Sequence, residues 1–270
     1  MCDRPYCFPI SPPWISSYEQ LKSHGYLYDY LKSTGFKNPS DAFNGPWQYG
    51  LNTKKNYVDW LQESEEQQTA FNVMMTMNRQ FRGQDWFEFY PVQEKLQTSP
   101  EDVLLVDIGG GMGHDISAFR TRYPDLPGKL VVQDLPPVVD QIKDPLPAGV
   151  EAMKHDMFAP QPIRNAKVYY LRTVFHDWPD KQVLVALEHI RTAMGPDSIL
   201  LLNEGVLSEG NPSKLALCTD FVMMNCFASL ERTETQWLDL LDRGGFRTLK
   251  VWQPTGKGLG AVAIFEAVAK

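Results

Sequence analysis

Several things are missing from this chain, and each absence narrows what it does. No apolar run approaches the ~20 residues that a bilayer-spanning helix needs, so no membrane partner is expected. Basic clusters are missing too: 26 Lys and Arg stand against 33 Asp and Glu, a net charge of −7. That balance argues against nucleic acid and anionic lipid as partners. Cysteine is scarce, with only Cys2, Cys7, Cys218 and Cys226. Cys2 and Cys7 are too widely spaced for a zinc clip and no His–Cys cluster follows, so no metal site is expected. Free thiols point to a reducing compartment, and the cytoplasm is the expected location. Met1–Pro13 carries prolines where a signal peptide needs an apolar stretch, so none is read there. There is no internal repeat and no low-complexity tract.

What remains is ordinary globular composition, 43% hydrophobic and 22% charged over 270 residues. That length suits one large domain, or one domain with a small appendage. Residues 1–40 are rich in Pro, Ser and Tyr, with one helical stretch around Tyr18–Lys32. From Tyr57 to about Leu96 the pattern is helical again. Phe71, Met74, Met75 and Asn78 share one face, and Phe81, Trp86, Phe87 and Tyr90 continue it. Such a stripe is either core or the lid of a pocket for a flat ligand, and both readings stay open.

From residue 101 strands and helices alternate. Strands are expected at Val103–Ile108, Lys129–Asp134, Val150–Lys154, Lys167–Thr173 and Ser198–Asn203, and then at Arg247–Trp252 and Ala261–Ala267. Helices are expected at Asp115–Tyr123, Lys181–Met194, Leu215–Phe227 and Glu234–Arg243. Gly195-Pro196 and Gly244-Gly245 serve as stops. β-α units closed by a short strand pair predict an α/β, Rossmann-like, doubly wound sheet of seven strands with the last antiparallel. Residues 1–98 are read as a helical N-terminal region and 99–270 as the main domain.

The most informative segment is Val106-Asp107-Ile108-Gly109-Gly110-Gly111-Met112-Gly113. Strand, acid, glycine turn and helix is how such a sheet makes a nucleotide site. A dinucleotide fingerprint would want G-x-G-x-x-G, whereas here Asp107 leads a D-x-G-x-G-x-G pattern. That resembles the first motif of S-adenosylmethionine-dependent methyltransferases. A carboxylate near the glycines suits a cationic, amino-acid-bearing cofactor. A plain strand–helix turn is the competing reading.

Ligands of these sheets sit at the carboxyl ends of the strands, so the residues ending each strand matter. Asp107, Gly109 and Gly111 follow the first. Asp134 and Leu135 follow the second, the acid placed to accept ribose hydroxyls. Asp156 and Met157 follow the third, suited to an adenine amino group and its ring. Arg172 and then His176 follow the fourth, and Glu204 ends the fifth. Asp at a strand end also caps a following helix, so each acid alone has a bland reading. His176 stands in Phe175-His176-Asp177-Trp178-Pro179-Asp180, where Asp177 and Trp178 can fix it. Imidazole is the side chain best placed to take a proton near neutrality. Glu204 or Glu231 could orient the ring, although Glu231 could equally favour a helix start.

Together these segments, with Asn203-Glu204 and Glu231-Arg232-Thr233-Glu234, resemble the caffeic-acid-type small-molecule O-methyltransferases. Thr34-Gly35-Phe36-Lys37-Asn38-Pro39 and Phe71-Asn72-Val73-Met74-Met75 are similar to their fungal, secondary-metabolism branch. The resemblance covers roughly residues 30–270. It implies the class I methyltransferase fold and a methyl group moving from S-adenosylmethionine to a hydroxyl of a small aromatic acceptor. His176 is then the general base, flanked by Glu204 and Glu231. Asp107, Gly109, Gly111, Asp134, Leu135, Asp156, Met157 and Arg172 are then the cofactor set. Many relatives carry lysine where Arg172 stands. Met74, Phe81, Trp86, Met223, Met224 and Phe227 are the expected acceptor lining, flat and apolar. The family forms homodimers through an N-terminal winged-helix-like region. Only a short Pro-rich stretch precedes the helices here, so the dimer is expected to be weakened or lost. Two rival readings are a cofactor-bound cyclase that transfers no methyl group and a non-catalytic binding protein.

Overall fold

Val103–Ile108 forms β1 and is buried along nearly its whole length, as a strand covered on both faces must be. The computed structural model describes residues 18–69, 71, 83–254 and 262–270. Within them β2 (Lys129–Asp134), β3 (Val150–Lys154), β4 (Val168–Arg172) and β5 (Ile199–Gly205) join β1 in parallel. β7 (Val262–Ala269) runs antiparallel to β5 and to β6 (Phe246–Trp252). The order is β3-β2-β1-β4-β5-β7-β6, the doubly wound, seven-stranded sheet the sequence pattern predicts. The strand order reverses between β1 and β4, with the chain stepping outward to β3 on one side and to β5 on the other, which makes their carboxyl ends a switch point.

The helices cover both faces. Val106, Ile108, Leu171, Leu200 and Phe265 meet α9 (Asp180–Ala193) and α11 (Glu234–Arg243). Leu105, Val168, Tyr170 and Leu201 face the other way, toward α5 (Trp86–Phe89) and α7 (His114–Arg122). Alternation along each strand produces this split. Lys95, from α6 (Val92–Lys95), reaches the buried Glu266 of β7 at 2.7 Å, and Trp252 donates to the same carboxylate.

The N-terminal helices depart from expectation. The stretch Tyr18–Lys32 is two helices, α1 (Tyr18–Gly25) and α2 (Leu27–Ser33), parted at Tyr26. Glycine is a poor helix interior residue, and Gly25 ends the first. The long helical pattern from Tyr57 includes separate short pieces. These are α4 (Tyr57–Leu61), capped by the Asn56 side chain, and α5 and α6, divided by Pro91. Met74, Met75, Asn78 and Phe81 lie outside the described residues. α3 (Pro46–Leu51) and α4 pack Trp47, Tyr57 and Leu61 against Met223, Cys226 and Phe227. The expected helix Leu215–Phe227 is α10 (Lys214–Val222) followed by a π-turn, Met223–Phe227. A short α8 (Pro136–Val139) follows β2. Among the described residues no helix is long and apolar enough to cross a membrane.

Candidate active site

Two groups of residues meet at the carboxyl ends of the strands. The first is the glycine loop after β1. Gly109 has a φ of +70°, and a Cβ there would lie 2.8 Å from Val174. Only glycine allows that approach between the loop and the segment after β4. Gly111 also has a positive φ, +60°, but nothing lies within 4 Å of where its Cβ would be. Its amide donates to Asp134 Oδ2 at 2.8 Å, and the Leu135 amide donates to Oδ1 at 2.7 Å. Burial nonetheless holds the Asp134 carboxyl above the usual range, opposed by those two amides. Each carboxylate oxygen keeps a second acceptor site. An open glycine cradle beside such an acid fits a ligand that offers hydroxyl groups.

The other strand ends are mixed. Asp107 is 2% exposed at the end of β1. Asp156 is exposed and accepts from the Phe158 amide at 2.9 Å, so it caps its own turn. Met157 packs partly into the core beside the sheet. Arg172 lies 3.6 Å from Asp115 of α7, and the Tyr170 hydroxyl donates toward the same carboxylate at 3.4 Å. Asn203 in turn donates to Tyr170 Oη at 2.9 Å. This Arg172–Asp115–Tyr170–Asn203 chain is not legible in the sequence, because its members come from α7, β4 and β5.

The second group surrounds His176. Thr173, just after β4, has a φ of +47°, a conformation that costs free energy in a β-branched residue. It turns the chain into a single 3₁₀ turn, Phe175–Asp177. His176 Nδ1 lies 3.0 Å from Glu231 Oε1. A carboxylate only accepts, so Nδ1 carries the proton and Nε2 is the nitrogen left for chemistry. Asp177 Oδ1 is 3.5 Å from Nε2, within ion-pair range but long for a hydrogen bond.

Glu204 is placed otherwise than expected. It is fully buried, and its Oε1 accepts from the Val174 amide at 3.0 Å and the Phe175 amide at 2.8 Å. Its carboxylate therefore holds the backbone of the turn, and it influences the His176 ring only through its charge. Its other oxygen is buried with no hydrogen-bond partner among the described residues. Burial raises the Glu204 carboxyl to about 7, against His176 and the two amides. Burial also raises Asp177 to about 6, although His176 pulls it down. At His176 burial favours the neutral ring, but Asp177, Glu231 and Glu204 outweigh it and lift the imidazolium to about 10. The surrounding acids thus favour the charged form of the ring over the neutral one.

The expected acceptor lining divides. Met223 and Phe227 are buried in the cluster with Tyr57, and Met224 is half-buried beside them. Trp86 is a correction. At 2% exposure it is sandwiched between Phe119 and Tyr170, at 5.1 and 4.9 Å. Its ring fills the core on one sheet face, which its neighbours in α7 and β4 dictate. Among the described residues no group of His, Cys, Asp and Glu has a metal-binding arrangement.

Comparison with known proteins identifies the family. Residues 41–247 match the profile of the O-methyltransferase domain family. Demethylsterigmatocystin 6-O-methyltransferase of Aspergillus flavus is 37% identical over 247 residues, 90% of this chain and 62% of that protein. A solved structure described as a pericyclic reaction enzyme superposes with a TM-score of 0.83 at 31% identity, covering 93% of this chain and 64% of that one. The crystal structure of OxaC in complex with SAH and oxaline gives 0.84 at 27% identity, covering 95% and 65%. The chain thus spans less than two-thirds of the length of each of these three proteins. With the glycine loop, the strand order and the profile in agreement, the chain belongs to the O-methyltransferase domain family.

Proposed function

We propose that this chain transfers a methyl group from S-adenosylmethionine to a hydroxyl, phenolic by preference, of a small aromatic secondary metabolite. The observation that carries this reading is His176 Nδ1 held at 3.0 Å by Glu231, which leaves Nε2 as the proton acceptor. Relatives named as O-methyltransferases support it, as does the OxaC complex with SAH. When bound, S-adenosylmethionine supplies an electrophilic methyl group. The glycine loop at Gly109 and Gly111, with Asp107, Asp134, Leu135, Asp156, Met157 and Arg172, is proposed to hold it. Asp134 accepts from hydroxyls there while keeping its two backbone donors.

His176 Nε2 takes the proton of the acceptor hydroxyl, and Glu231 stabilises the imidazolium that results. A phenol titrates near ~10, close to the value of about 10 to which His176 is lifted. The raised value favours proton uptake by the ring and lowers the share of neutral ring at pH 7. Glu231 orients the ring and Glu204 fixes the turn that carries it, both favour the charged ring, and neither touches the reacting hydroxyl. Met223, Met224 and Phe227 are proposed to hold the acceptor's flat face, together with Met74 and Phe81. The N-terminal region, residues 1–98, is proposed to cover the domain formed by 99–270.

Labelled S-adenosylmethionine with a panel of phenols tests this reading. Label in a phenolic ether supports it, and unlabelled acceptors throughout would reject it. The pericyclic reaction enzyme at 31% identity gives a second reading some weight, namely a bound cofactor with no methyl transfer. Turnover of a polyene substrate with S-adenosylmethionine left intact would favour that reading.

A further inference from the structure

Arg232 is 1% exposed, and a buried cation needs partners for nearly every donor. The hydrogen-bond partners of its side chain all belong to the segment that carries His176. Nη1 donates to the Phe175 carbonyl at 3.1 Å, and Nη2 donates to the Trp178 carbonyl at 2.9 Å. Nε and Nη2 both donate to Asp180 Oδ1, at 3.1 and 2.8 Å. The guanidinium also lies over the Trp237 ring, 4.7 Å from its centre. Three residues earlier, the Ser229 hydroxyl donates to the His176 carbonyl at 2.7 Å. Residues 229–232 thus take the outward carbonyls of Phe175, His176 and Trp178. Between Ser229 and Arg232 lies Glu231, which meets the His176 ring. Its own amide is fixed on Asp220 Oδ1 at 2.8 Å.

One short segment therefore grips both the backbone under His176 and the carboxylate on its ring. We propose that Arg232, assisted by Ser229, is the positioning residue that sets His176 against Glu231. Guanidinium geometry is what the site requires. Its planar fork reaches two carbonyls and a carboxylate at fixed angles, which an ammonium cannot do. The inference rests on the proposed role of His176 for its catalytic consequence, but the geometry is testable without turnover.

His176 faces Asp177 from its own turn, Glu231 from the gripping segment and Glu204 from β5, with Tyr57 of α4 beyond Asp177. Arg232→Lys keeps the positive charge, so a change in the titration of His176 in that variant reports distance. Histidine-selective NMR reads that titration in the chain bound to S-adenosylhomocysteine, with His176→Gln identifying the signal among five histidines. In Arg232→Lys the midpoint is expected to fall by about one pH unit or more as Glu231 moves away. Ser229→Ala is expected to lower it by less, and it decides the matter if Arg232→Lys fails to fold. In methyl transfer, Arg232→Lys is expected to lower kcat about 10- to 100-fold with the cofactor KM unchanged. Glu231→Gln, costly in the parent chain, should then cost little in the Arg232→Lys background. A midpoint unmoved in the folded variants, or an equal Glu231→Gln loss in both backgrounds, overturns the proposal. A shifted midpoint in a chain that methylates no acceptor upholds the positioning and rejects the methyl-transfer reading.

Discussion

The two halves of the site are built from different materials. On the β1–β3 side the surface is backbone: glycines in left-handed conformations, amides turned onto Asp134, and open space above Gly111. On the β4–β5 side it is side chain: His176 among Asp177, Glu204 and Glu231, its backbone gripped by Glu204, Ser229 and Arg232. The first half leaves open space beside fixed backbone amides and an acid. The second concentrates charge and fixes one ring. Binding and rate should therefore respond separately to substitution.

The sharpest way to break that separation is His176→Ala. Methyl transfer should fall by roughly 10²–10⁴-fold with cofactor affinity unchanged. The loss should shrink for phenols already ionised at the assay pH. Equal rates in both proteins, or a matching loss of cofactor binding by calorimetry, would merge the two halves.

The pH profile comes next in size. His176 is lifted to about 10, so its neutral, proton-accepting form grows through the neutral range. The kcat/KM of an ordinary phenol should rise roughly tenfold per pH unit from 7 toward 10. A plateau already reached at pH 7 would mean that acceptor binding rearranges the carboxylates around the ring.

On the glycine side, Asp134→Ala should weaken S-adenosylmethionine or its demethylated product by about 1–3 kcal/mol in calorimetry. The kcat at saturating cofactor should change little. A large kcat loss with intact binding would place Asp134 with the catalytic group.

The smallest effect concerns stability. The folded-state value of His176 is raised above the unfolded value near ~6.5. Its charge thus contributes stability that is complete below about pH 6.5 and is lost as pH rises through the folded value. The Tm advantage of the parent chain over His176→Gln should shrink between pH 7 and 10.

Much of this was legible in the sequence, and the reason is local. Asp107 to Gly113 is a contiguous strand–turn–helix, and its pattern needs no long-range contact to be read. The seven strands follow from apolar runs and stop signals, and most boundaries lie within two residues of those expected. What failed depends on contacts between distant segments. Trp86 reads as pocket lining because a stripe of Met and aromatics has no sign of direction. Phe119 and Tyr170, remote in sequence, decide that it faces the core. Glu204 reads as a partner of the imidazole because both follow neighbouring strands. Thr173 turns the backbone so that amides, and not the ring, meet the carboxylate. Arg232 was visible only as part of the Glu231-Arg232-Thr233-Glu234 run, and its partners lie more than fifty residues earlier.

The Lys95–Glu266 contact bears on how the molecule opens. Glu266 is 2% exposed and takes donors from Lys95 and from Trp252. It ties α6, which precedes the first strand, to the antiparallel edge at the far end of the chain. Opening either piece alone would leave a buried carboxylate short of a donor. The two should therefore exchange their amide hydrogens as one cooperative unit, apart from α1 and α2.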